Sequence, residues 1–252
     1  MQLDLILGLS GGLLTASWGA FKDSPYEGFS LRSFCRSILV TAGFYFLFLF
    51  LLSKTDFSFH RLAVLFSAVA LERLTQEYWK AFFRSKQRKG IYKIPQSFHV
   101  FGKVMTYKKR FPLGILLSVL TVVVLEILFG VSISGNSWII PGVILSTLPS
   151  LGGAWKDAPI EGFEIKKFPR SFIIMFASIF LLSRLTNNLM ILVLGAAGLE
   201  RLLVEFYKTF LFLSTPGKFN SKVTFPEWKQ KRILFMVSYT LGLVILFISL
   251  VL

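Results

Sequence analysis

The sequence predicts an all-α, polytopic integral membrane protein with about eight membrane helices in two parallel tandem four-helix repeats. Three observations predict it. Of the 252 residues, 54% are hydrophobic and only 16% are charged, whereas about 25% of the residues of a water-soluble domain are charged. Apolar stretches of membrane-spanning length alternate with charged clusters. One charged stretch also occurs twice, at a constant offset of 134 residues.

The apolar stretches predict the individual membrane segments. These lie near residues 3–20, 37–53, 58–82, 111–132, 137–153, 171–184, 187–212 and 232–252. The second and sixth segments are short, so they are expected to be tilted or to fail to span alone. The N-terminus, MQLDLILGLS, lacks a basic region and carries Asp4, so it is predicted to be the first membrane helix and not a cleaved signal peptide.

Two pairs of similar stretches define the internal repeat. GAFKDSPYEGFSLRSFCRS (19–37) and GAWKDAPIEGFEIKKFPRS (153–171) are identical at eleven of nineteen positions. ALERLTQEYWKAF (70–82) resembles GLERLLVEFYKTF (198–210) in the same way. We therefore divide the chain into a first repeat, 1–133, and a second, 134–252. An even number of helices in each repeat makes the two parallel, related by an axis along the membrane normal.

The distribution of basic residues predicts the orientation. The segments that follow the odd-numbered helices hold 23 Lys and Arg, whereas the opposite side holds only Lys54, Arg61 and Arg184. Because basic loops stay in the cytoplasm, both termini are predicted to lie outside, in the plasma (inner) membrane. The net charge of +15 then indicates contact with anionic lipid head groups. Nucleic-acid binding is not predicted, because no recognition module is found, and the single cysteine, Cys35, excludes an intrachain disulfide.

A stripe of four charges lies on the third predicted helix and again on the seventh. At about 100° per residue, each set covers an arc of roughly 140° on one side of its helix. The two sets are Glu72, Arg73, Glu77 and Lys80, and Glu200, Arg201, Glu205 and Lys208. Since a charge at the centre of a membrane helix costs roughly 2.5–3.5 kcal/mol and commonly marks a functional site, the stripes are predicted to line a substrate or ion pathway. The alternative is an internally neutralised stripe that locks the two repeats together.

The repeated opening motif supplies a second set of candidates. Its charged residues are Lys22, Asp23, Glu27 and Arg36, with Lys156, Asp157, Glu161 and Arg170 in the second copy. Pro25 and Gly28 predict a rigid turn at the membrane surface, and Asp23 is also a candidate helix cap. The charges are expected to line a cytoplasmic vestibule. Alternatively, the carboxylates Asp23, Glu27, Asp157 and Glu161 hold Mg²⁺ while the basic residues bind a diphosphate.

Glycine and proline in the first and fifth segments add a further indication. The first segment contains Gly8, Gly11 and Gly12, and the fifth contains Pro141 and Gly142. Interrupted segments at matching positions in two repeats are typical of transporter binding sites. Small residues also allow two helices simply to pack closely.

Three functions remain open from the sequence. The first is a transporter or channel for a small ion or polar solute, with its site in the cytoplasmic half between the two repeats and with no cofactor or metal. The second is a membrane-embedded, Mg-dependent enzyme that acts on a lipid-linked phosphate or diphosphate. The third is a non-catalytic scaffold subunit of a membrane assembly, or a homo-oligomer. No catalytic residue is identified, and the substrate is not determined.

Overall fold

The structure, a computed structural model, is mostly helical, as predicted, with one short hairpin among the residues it describes. These are residues 2–27, 29–86, 98–100, 103–147, 167–206 and 226–251. The helices are α1 (Gln2–Glu27), α2 (Leu31–Leu52), α3 (Arg61–Tyr78), α4 (Tyr107–Phe129), α5 (residues 139–147), α6 (Lys167–Leu182), α7 (Leu189–Phe206) and α8 (Pro226–Val251). A π-helix, Trp79–Phe83, continues α3, and strands β1 (His99–Val100) and β2 (Lys103–Val104) pair in antiparallel fashion.

Three of the described helices are long and apolar enough to cross a membrane. They are Gln2–Ala20 within α1, Leu31–Leu52 and Tyr107–Phe129. Only 6% of the most apolar stretch of α4 is buried. The exposed side chains of this helix include Ile115, Leu116, Val119, Leu120, Val122, Val123, Val124 and Ile127. Water-soluble monomers rarely expose an apolar surface of this kind, so this helix is suited to a lipid environment.

Helix α2 corrects the prediction of a short second segment. It begins at Leu31, six residues before the predicted start, and its 22 residues extend about 33 Å at 1.5 Å per residue. The side chain of Ser30 caps the helix by accepting a hydrogen bond from the Ser33 amide at 3.4 Å. The prediction failed because Arg32 and Arg36 were assigned to a loop, whereas they occupy the first turns of the helix. Helix α6 has only 16 residues and remains short.

The first copy of the opening motif is also different from the prediction. Residues 22–27, including Pro25, continue α1, and α2 starts at Leu31, so the chain reverses within residues 28–30. Near the end of a helix, proline removes one hydrogen bond without ending the helix where it stands. Asp23 is therefore not a helix cap, and Ser30 takes that place.

The glycines of α1 lie at close helix contacts. A Cβ atom on Gly12 would lie 2.6 Å from the carbonyl oxygen of Ile38 in α2, and one on Gly8 would lie 3.2 Å from the ring of Tyr45. In α5, Gly142 faces Ile179 of α6 at 3.1 Å. Helix α1 is continuous, so its glycines allow close packing and do not interrupt it.

Helices α3 and α7 pack against each other at the centre of the described core. The Ser67 hydroxyl lies 3.0 Å from the carbonyl oxygen of Ile191 and donates to it. In the reverse direction, a Cβ atom on Gly195 would lie 3.1 Å from the carbonyl oxygen of Ala63. Gly198 is so close to the backbone of Phe66 that a Cβ atom would lie 2.8 Å from its carbonyl carbon. The two backbones therefore approach each other directly, through small residues.

Polar contacts also join distant parts of the chain. The hydroxyls of Ser17 in α1 and Ser238 in α8 share a hydrogen bond of 2.7 Å. At the end of the bundle where α3 and α7 begin, the His60 amide donates to the carbonyl of Leu185 at 2.7 Å. Arg61 pairs with Asp4 at 2.7 Å at the same end. The first and last helices are thus in contact, and α3 and α7 start side by side.

Candidate functional site

The most deeply buried acidic residue described is Glu72 of α3. It has 0% exposure, and neither carboxylate oxygen accepts a hydrogen bond. Ala70 lies on the α3 face near Gly198 of α7. Two residues along a helix correspond to a rotation of about 200°, so Glu72 lies on the opposite side of α3 from α7. Its carboxylate therefore faces α2.

The groups around Glu72 come from the start of α2 and from α3 itself. The positive charges that act on it include Arg73 and Arg36, and the Ser37 hydroxyl faces it without closing a hydrogen bond of normal geometry. Arg36 donates from Nη2 to Oε1 of Gln76 at 2.7 Å. Arg73 lies 3.8 Å from Glu77, while its buried Nε and Nη2 form no hydrogen bond. We call this group the Glu72 cluster: Arg36, Ser37, Glu72, Arg73, Gln76 and Glu77.

A second cluster lies between α6 and α7. Glu200 is 9% exposed and Glu205 is 2% exposed. Arg201 pairs through Nε with Glu205 at 3.1 Å. Arg170 and Ser171, at the start of α6, face Glu200. We call this group the Glu200 cluster: Arg170, Ser171, Glu200, Arg201 and Glu205.

The two clusters correspond position by position. Arg36 and Ser37 become Arg170 and Ser171 at the offset of 134, and the Glu–Arg pair of α3 becomes that of α7 at an offset of 128. In each case the last charged residue of the opening motif meets the stripe on the next helix. The described residues thus bring part of the motif and part of the stripe together twice, in two places.

Several predicted site residues are only partly described or not described. Lys80 lies in the π-helix and acts electrostatically on Glu72 from the end of that segment. The side chains of Lys22, Asp23 and Glu27 lie outside the described residues, as do Lys156, Asp157, Glu161 and Lys208. Among the described residues, no group of three His, Cys, Asp or Glu could hold a metal ion. The four carboxylates of the Mg²⁺ hypothesis are not in that part of the structure.

Sequence reasoning missed three polar members of these clusters. Ser37 and Ser171 end the repeated stretch, directly after its arginine, so their repetition was a usable signal. Gln76 has no such signal, because Val204 occupies the corresponding position. Only the hydrogen bond from Arg36 shows its role.

Arg110 is a further buried cation that sequence reasoning did not single out. It lies in the first turn of α4 with 4% exposure. Its guanidinium donates to the carbonyl oxygens of Ala81 and Arg84, at 2.9 and 2.6 Å. These carbonyls lie at the end of the π-helix, where helix carbonyls lack partners within the helix. Arg110 therefore stabilises the end of the segment that carries Lys80.

Comparison of the chain with models of protein families, with curated proteins and with solved structures finds no match. The clusters themselves are therefore the basis for a functional proposal.

Proposed function

We propose that the chain is an integral membrane protein that moves a small ion or polar solute across the membrane, using polar sites near the cytoplasmic ends of α3 and α7. The observation that carries the proposal is Glu72, which is fully buried and accepts no hydrogen bond. Buried polar groups are nearly always hydrogen-bonded, and an exception requires an explanation. A carboxylate that binds a passing solute provides one.

The proposed membrane topology places both clusters at one surface. Both lie where α3 and α7 end and where α2 and α6 begin. The basic loops 84–110 and 213–231 follow at this same end, so positive-inside orientation puts it in the cytoplasm. The termini are then outside, and the basic loops contact anionic lipid. The apolar surface of α4 faces the acyl chains.

A purely structural stripe is less consistent with this geometry. Arg201 and Glu205 pair at 3.1 Å, as a structural stripe requires. Glu72 does not follow that pattern, although Arg36 and Arg73 are nearby. A buried acceptor left without a hydrogen bond costs about 1–3 kcal/mol, and more when it is charged. A scaffold gains nothing from this cost, whereas a binding site can recover it when a solute donates hydrogen bonds.

The Mg-dependent enzyme remains the second hypothesis. It depends on Asp23, Glu27, Asp157 and Glu161, whose side chains lie outside the described residues. The described carboxylates, Glu72 and Glu200, each stand beside two arginines. Mg²⁺ is normally bound by carboxylates, water and phosphate, so this described part of each cluster favours a polar solute over a metal ion.

Osmotic measurements on proteoliposomes test the transport proposal. Purified protein is reconstituted, and light scattering follows volume recovery after a step in KCl (with valinomycin), potassium phosphate, glycine or urea. We expect at least one osmolyte to give faster recovery than protein-free liposomes show. Glu72→Gln, which removes the charge and keeps the shape, should slow that recovery.

Glu126→Gln is the matched control, because Glu126 is exposed and lies in the last turn of α4. It should leave the rate unchanged. Transport is ruled out for these solutes if wild-type and protein-free liposomes recover alike. Equal recovery by wild type and Glu72→Gln would instead remove Glu72 from the pathway.

A further inference from the structure

We propose that each half of the chain holds its own separate site, and that each site takes a small polar solute without net charge, such as a zwitterion or an amide. This inference rests on the transport function proposed above. It differs from the sequence prediction of a site between the two repeats. It also specifies the chemical class of the solute.

The partners of the two glutamates support separate sites. The strongest electrostatic partners of Glu72 are in α2, α3 and the π-helix, and those of Glu200 are in α6 and α7. Neither set contains a residue of the other half. Because Glu72 faces away from α7, the two carboxylates open to opposite sides of the α3–α7 pair.

The contact between α3 and α7 also leaves no room for a shared pathway at the crossing point. The Ser67 hydroxyl reaches the Ile191 carbonyl at 3.0 Å, and Gly195 faces the Ala63 carbonyl in the reversed sense. At the offset of 128, Ser67 corresponds to Gly195 and Ala63 to Ile191. Equivalent residues that exchange contacts in this way indicate a pseudo-two-fold axis. A pair of identical sites, one on each side, is the arrangement that such an axis generates.

Charge balance indicates the class of solute. Each set of candidate residues, stripe plus motif, contains four acidic and four basic side chains. Together the two sets use eight of the thirteen acidic residues of a chain with a net charge of +15. The acids are thus concentrated where they neutralise the local basic residues. A low-dielectric site of zero net charge does not compensate a net charge on its ligand, so it favours a neutral or zwitterionic solute.

The unused hydrogen-bonding atoms fit such a solute. Glu72 offers two acceptor oxygens, and the buried Nε and Nη2 of Arg73 are donors without a hydrogen bond. Nε of Arg170 in the other cluster is likewise buried without one. A molecule that both donates and accepts, such as an amino acid or urea, can satisfy a carboxylate and a guanidinium at once.

Osmolyte class tests the solute chemistry. Glycine and urea serve as the zwitterionic and neutral probes, and KCl with valinomycin as the ionic probe. We expect volume recovery at least tenfold faster with glycine or urea than with KCl. The charge argument is overturned if recovery is as fast with KCl, or if it occurs with KCl alone.

Single and double variants test the separation of the sites. Glu72→Gln and Glu200→Gln should each halve the rate of recovery, and the double variant should reduce it to the level of protein-free liposomes. Glu126→Gln should retain the full rate. If either single variant abolishes recovery, the two carboxylates act in one shared pathway and the inference of separate sites is wrong.

Carbodiimide modification distinguishes failure of this inference from failure of the transport proposal. If no osmolyte is moved, the transport proposal and the solute class fail together. The separate sites can still be examined by treating the purified protein with a hydrophobic carbodiimide and counting adducts by intact mass. Glu72→Gln and Glu200→Gln should each remove one adduct and leave the other. Loss of both adducts in either single variant, or of neither, overturns the separation.

Discussion

Replacing Gly12 by alanine tests the closest described contact between α1 and α2. A Cβ atom at Gly12 would lie 2.6, 2.7 and 3.0 Å from the carbonyl oxygen, Cα and carbonyl carbon of Ile38. All three are backbone atoms, so no side-chain rotation can relieve the clash. To reach an ordinary separation of 3.4 Å from the oxygen, the helices must move apart by about 0.8 Å, which weakens the packing along their interface.

Gly43→Ala is the matched control for this substitution. Gly43 lies in the middle of α2, and nothing lies within 4 Å of the position of its Cβ atom. Alanine is favoured over glycine in a helix by up to about 1 kcal/mol, so Gly43→Ala should stabilise slightly. Gly12→Ala has the same gain but adds an overpacking cost of about 1–3 kcal/mol. The two variants should therefore differ by about 2 kcal/mol in the free energy of unfolding.

Loss of helicity in mixed micelles with increasing dodecyl sulfate measures this difference. Wild type and both variants are titrated side by side by circular dichroism. We expect Gly12→Ala to unfold first and Gly43→Ala last. If Gly12→Ala unfolds together with Gly43→Ala or after it, α1 and α2 do not contact each other through their backbones at this point.

Two further predictions concern orientation and the end of the π-helix. In a Cys35→Ser background, cysteines introduced at Ser85 and Ser221 should resist an impermeant thiol reagent in intact cells and react after lysis, because both loops are predicted to be cytoplasmic; labelling in intact cells would reverse the topology. Arg110→Ala should lower the free energy of unfolding by about 3 kcal/mol in the same titration, because two buried carbonyl oxygens lose a charged donor, and an unchanged midpoint would show that these hydrogen bonds do not stabilise the fold.

The helices were predictable from the sequence because their apolar stretches are long, but their ends were not. Arg36 looked like a loop residue, yet a long basic side chain in the first turns of α2 can direct its charge to the polar end of the helix. Pro25 looked like a turn residue, yet near the end of α1 it costs little. Local sequence does not distinguish these cases, because the neighbouring helix and the solvent decide them.

The candidate site was predictable in its residues but only partly in its arrangement. The depth of Glu72 in an apolar segment predicted its burial, and the structure agrees. The direction in which it faces depends on which side of α3 meets α7. The sequence held a signal for this, since Ala63, Ser67 and Ala70 form a row of small residues at the spacing of a close helix contact. The contact of Glu72 with Ser37 depends on the relative height of α2 and α3, which no periodicity encodes.

The packing of α3 on α7 has a consequence for synthesis in the membrane. Helix α3 ends at residue 78 and α7 at residue 206, so the ribosome adds 128 residues between the two. At 5–20 residues per second, the face of α3 around Ser67 waits about 6–26 s for its partner. Contacts within the first half, such as Gly12 on Ile38 and Arg36 on Gln76, exist before α7 is made. They have to hold a nascent, half-built bundle in place in the bilayer during that time.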